Sequence, residues 1–148
     1  MRYGIAGFRG LAERDTRRSA SVEATDGVSD YSAEQGQQAL GPLASLVSKS
    51  ERAQQRLAPE TWQYRMLAGN LEALRTAMAL MDATAGAGVQ ASEHDLATAV
   101  GALSSLIERV EGAEAKFAPG TSQNTLQRNR LAALRIARAV VRAELERR

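Results

Sequence analysis

The chain has 148 residues, 44% of them apolar and 4% aromatic, with no cysteine and 19 basic groups against 17 acidic, for a net charge of +2. That length fits one domain, or one domain with a tail. Without cysteine there is no disulfide framework, thiolate metal site or thiol nucleophile, no apolar run reaches the roughly 18–20 residues that span a bilayer, and so small a net charge carries no electrostatic argument by itself.

Residues 1–31 read as an N-terminal arm and flexible linker. Tyr3, Ile5, Phe8 and Leu11 are interleaved with Gly4, Gly7 and Gly10, which suits a short strand or an extended arm, and the following RDTRRSASVEATDGVSD is polar and aperiodic. This stretch has no apolar secretory core, and Arg17-Arg18 lacks the context of a twin-arginine signal. Together with the missing cysteines, this sets the expectation of a cytoplasmic protein.

Alanine-rich, aromatic-poor composition favours packed helices over a sheet, and the rest of the chain has helical periodicity. Ser32 and Gln35 stand at capping-box spacing. Leu40, Leu43, Leu46, Val47 and Leu57 then make an apolar stripe on a helix expected from about Ala33 to Leu57. Pro42 lies inside it, where the ring removes a backbone donor and collides with the preceding turn, so a kink, or a separate short helix ending near Ala39, is expected. Ala58-Pro59 ends the helix, because the residue before proline is pushed out of the α region.

Thr61 is a natural cap for the second helix, in which Leu67, Leu71, Leu74, Met78 and Met81 recur at steps of four and three. DATAGAGVQA at 82–91 reads as a Gly/Ala loop. Ser92 opens the third helix, with Asp95 as a first-turn acid suited to the positive end of the helix dipole. Its stripe is Leu96, Val100, Leu103, Leu106, Ile107 and Val110, and its expected end is about Phe117. Ala118-Pro119 stops it, Thr121 caps the fourth helix, and Leu126, Leu131, Leu134, Val141 and Leu145 form the last stripe.

The second half restates the first. Shifted by sixty residues, Ser32–Met81 lies over Ser92–Val141 with 18 of 50 positions identical, among them the turn motif Ala-Pro-x-Thr-x-Gln at 58–63 and 118–123. A repeated unit of this kind decides architecture. The expected fold is all-α: two tandem helical hairpins, 32–81 and 92–148, produced by internal duplication and packed as a four-helix bundle behind the extended arm. Glu51/Glu111 and Arg75/Arg135 recur with the repeat, which suggests structural ion pairing between the hairpins. Asn70 and its counterpart Arg130 point toward the apolar side, where buried polar groups need partners.

Differences between the copies suggest where function lies. On a wheel of 100° per residue, Tyr64, Leu67, Leu71 and Met78 widen the apolar arc of the second helix. The fourth helix instead carries Arg128, Arg135, Arg138 and Arg142 within an arc of about 80°, with Leu131 inside it. The charge profile agrees: residues 82–117 carry two basic and six acidic groups, and residues 118–148 carry seven and two. Trp62, the one tryptophan, sits beside Tyr64 at the first turn, where it either staples the turn or anchors a partner. The bland alternative for both flanks is a cover by the arm, through Tyr3 and Phe8, and a solvated arginine face.

Chemistry-bearing patterns are missing. His94, the single histidine, stands between Glu93 and Asp95, and consecutive helical side chains diverge by 100° and do not converge on a metal. No Glu-x-x-His pair and no phosphate loop occurs, and no cofactor, catalytic set or metal centre is expected. The leading expectation is a non-enzymatic protein-binding module: an adaptor, an assembly piece or an inhibitor, of the small bacterial or phage kind that blocks a host complex. Its candidate contact residues are Trp62, Tyr64, Leu67, Leu71, Met78, Arg128, Arg135, Arg138, Arg142, Tyr3 and Phe8, and a homodimer through the Tyr64/Leu67/Leu71/Met78 flank is one variant. The alternative is nucleic-acid binding through the arginine stripe.

Overall fold

The computed structural model describes residues 32–82 and 89–148, which contain four α-helices and no strand. α1 is Ala33–Gln55, α2 Trp62–Met81, α3 Glu93–Ala115 and α4 Ser122–Arg147. α1 and α3 stop just short of the expected Leu57 and Phe117. The arm, with Tyr3 and Phe8, and residues 83–88 of the Gly/Ala loop lie outside the described residues. No described helix is long and apolar enough to cross a membrane.

The two Ala-Pro-x-Thr turns are built alike. In each, the alanine carbonyl accepts two bonds from the threonine, one from its amide (3.1 Å at Thr61, 3.2 Å at Thr121) and one from its hydroxyl at 2.8 Å. The same hydroxyl oxygen accepts the amide of Tyr64 or Asn124 at 3.2 Å and so caps α2 or α4. Proline suits the position after the alanine because its fixed φ matches the second residue of such a turn. Gly120 holds φ 88° with open space around its Cα, so a side chain there is opposed by the backbone and not by a neighbour. Thr121→Ala removes both hydroxyl bonds, and we expect urea unfolding to show a loss of about 0.5–2 kcal/mol.

Asp95 does more than complement a dipole. Ser92 and Asp95 form a complete capping box: the Asp95 amide donates to Ser92 Oγ at 3.0 Å, and the Ser92 amide donates to Asp95 Oδ2 at 3.1 Å. The bonds from Ser92, backbone first, hold the Asp95 carboxyl below the usual carboxylate range. The carboxylate half of the cap is therefore intact at neutral pH and weakens only as pH falls through that lowered value, while the bond to Ser92 Oγ does not titrate.

Pro42 does not divide α1, which runs unbroken across it and rules out a separate short helix ending near Ala39. The preceding residue is Gly41, which has no Cβ to meet the proline ring, and Ala39 and Leu43 on either side are both buried. Tertiary anchoring outweighs the one backbone bond lost at Pro42.

The core is assembled from equivalent positions of the two halves. Leu43 and Leu103, and Leu74 and Leu134, are fully buried, and the alanine pairs 39/99, 73/133 and 77/137 are buried with them. Glu34–Arg148 forms one compact unit. In it α2, α3 and α4 pack on one another and α1 contributes Ala39, Leu43 and Leu46 to the same cluster.

Candidate functional site

Between residues 47 and 69, and between 111 and 129, Asn124 is the only buried residue. These segments are the facing ends of α1 and α2, and of α3 and α4, on either side of the two turns. Their apolar side chains are correspondingly open: Trp62 is 62% exposed, Leu126 44% and Phe117 38%. Trp62 therefore does not staple its turn against the helices. It projects from the first turn of α2, the position of Ser122 in the other copy.

The expected apolar flank of α2 divides. Leu71 is buried inside the molecule and is not available to a partner in this conformation. Met78 is half-buried against the core, and Tyr64 and Leu67 are half-buried. The backbone carbonyl of Tyr64 accepts a bond from Gln54 Nε2 at 3.4 Å. The second hairpin joins the same two positions with the donor exchanged: Asn124 Nδ2 reaches the carbonyl of Glu114 at 3.3 Å, and that of Phe117 at 3.5 Å.

The arginine row of α4 is largely occupied by α3. Arg128 Nε lies 4.0 Å from Glu114, Arg135 is bonded to Glu111 at 2.9 Å, and Arg138 Nη1 donates to Ser104 Oγ at 3.2 Å. Only the exposed Arg142 lacks a partner among the described residues. The opposite charges of 82–117 and 118–148 are thus complementary strips of one hairpin. Ionic contacts this exposed contribute little to stability, about 0–1 kcal/mol each, but they neutralise the stripe.

The ion pairing expected between hairpins occurs within each: Arg75 pairs with Glu51 just as Arg135 pairs with Glu111. Side chains on a helix lean toward its N-terminus. In an antiparallel hairpin a residue of the second helix therefore leans toward the turn, and one of the first leans away from it. That lets residues 24 positions apart meet. The equal Glu-to-Arg separation in both copies is the signal that would have identified the pairs.

Asn70 and Arg130 do face inward, at 4% and 9% exposure. One buried donor of each, Asn70 Nδ2 and Arg130 Nε, meets no acceptor on the protein. Elsewhere, His94 is exposed. Among the described residues no three histidines or carboxylates cluster in a way that could hold a metal ion. Compared with models of protein families, with curated proteins and with solved structures, the chain matches none.

Proposed function

We propose that this chain is a non-enzymatic helical interaction module, an adaptor, assembly or inhibitor protein, that binds another protein through its open hairpin ends. We propose further that it is a duplicated hairpin packed as a four-helix bundle. Matched burial, matched threonine caps and matched Glu–Arg pairs sixty residues apart support that architecture. In an up-down bundle both Ala-Pro-x-Thr turns fall at one end, and Trp62, Phe117 and Leu126 gather there.

The observation that carries the reading is the exposure of those three large apolar side chains on segments that bury almost nothing. Tryptophan is enriched at interface hot spots and aromatic residues at interfaces generally. Three of the four stripe arginines are engaged by α3, which argues against the nucleic-acid alternative. The test is affinity capture from the native host with the full chain and with a variant carrying Trp62→Ser, Phe117→Ser and Leu126→Gln. We expect one partner captured by the native chain and lost by the variant, with helix content unchanged. Equal capture by both would end this reading, and a gel shift at low salt would restore its rival.

A further inference from the structure

Two buried donors lie beneath the open ends. Asn70 and Arg130 occupy matched positions of α2 and α4, immediately before the buried Leu71 and Leu131. Both side chains lean toward the N-termini of their helices, that is, toward the hairpin ends. Arg130 is a permanent cation, nine-tenths buried, with Nε unbonded. Nε is the buried, unbonded atom of its guanidinium, and a buried donor left without an acceptor is costly.

The other half-buried or terminal arginines of α4 have found acceptors, Arg138 on Ser104 and Arg148 on Glu144 and the carbonyl of Ala91. Both unbonded atoms are donors and one belongs to a cation, so an anionic acceptor suits the pair best. The surrounding ends reinforce this sign: segments 47–69 and 111–129 carry six basic and four acidic groups. Two of those carboxylates, Glu51 and Glu111, are taken by Arg75 and Arg135.

We infer that the end of the molecule between its two hairpin turns receives a carboxylate carried on an apolar segment of a partner protein, with Arg130 as counter-ion, Asn70 as second donor and Trp62, Phe117 and Leu126 as the apolar rim. This rests on the bundle and interaction reading above and specifies its ligand. A random-peptide display selection on the full chain tests it. Enriched peptides should place Asp or Glu beside a large apolar residue. Changing that acid to its amide, or Arg130 to Met, should weaken binding by about 30-fold or more, and Arg130→Met without peptide should melt at or above the native temperature.

Enriched peptides lacking an acid, or binding that survives Arg130→Met, would overturn the inference. So would an Arg130→Met variant that melts well below the native chain, since arginine would then serve the fold. Arg130-dependent self-association in light scattering would replace the partner by a second copy, and no enrichment at all would also count against it. If the Trp62/Phe117/Leu126 variant loses a host partner that Arg130→Met still captures, the interaction reading stands and this one falls.

Discussion

Leu134→Ala lowers the free energy of unfolding by about 2–5 kcal/mol, and Leu74→Ala at the matched position does the same. Both leucines are fully buried. They belong to a small set: among the described residues, Leu43, Leu96, Leu103 and Val141 are the other large side chains that are fully buried. Each deleted leucine removes about 1.5–3 kcal/mol of burial and leaves a cavity into which the surrounding helices relax only in part. Against a total stability of about 5–15 kcal/mol for a domain of this size, one such change is a large fraction. Leu126→Ala is the internal comparison. It removes the same atoms from a side chain 44% exposed, and we expect a shift within about 0.5 kcal/mol. Urea denaturation of the three variants decides the matter. A Leu126→Ala loss as large as that of Leu134→Ala would mean that the hairpin ends are closed in solution.

What was legible in the chain was local. The threonine caps, the Ala-Pro stops and the leucine stripes follow from interactions spanning four residues or fewer, so their spacing is written in the sequence. Pro42 shows the limit of that logic: the lost backbone bond is local, but the helix continues through it with Ala39 and Leu43 anchored in the core on either side. Leu71 shows another. A wheel ranks it by angle beside Tyr64 and Leu67, whereas its depth along α2 places it at the start of the buried stretch, with Asn70 and Ala73. The Glu51–Arg75 and Glu111–Arg135 pairs were legible as a recurring separation of 24 residues, but placing each within one hairpin also needs the lean of side chains in an antiparallel pair. The exposed ends were least legible, because Trp62, Leu126 and Phe117 look like core residues until the packing stops short of them.

Ala77→Leu and Ala137→Leu each destabilise the chain by about 1–3 kcal/mol, and the double variant costs less than their sum. Both alanines are fully buried, one helical turn beyond the buried Ala73 and Ala133, on helices that lie against each other. Helix axes approach only as closely as the side chains between them allow, within about 8–10 Å, and alanine at positions i and i+4 sets the near limit. Leucine adds three carbon atoms where no space exists, forcing strained rotamers or separation of α2 from α4. In the proposed two-fold packing the matched alanines line one shared contact. The first substitution then pushes the helices apart and relieves the second, giving a coupling of about 0.5–3 kcal/mol by double-mutant cycle. Alanines on unrelated surfaces would instead add to within roughly 0.3–0.5 kcal/mol, and that additivity would sink the bundle. Ala132→Leu controls for leucine itself: Ala132 is exposed on α4, so its replacement is expected to shift stability by no more than about 0.5 kcal/mol. Chemical denaturation of all four variants separates a fold built on two equivalent helices in close contact from four helices that merely share an interior.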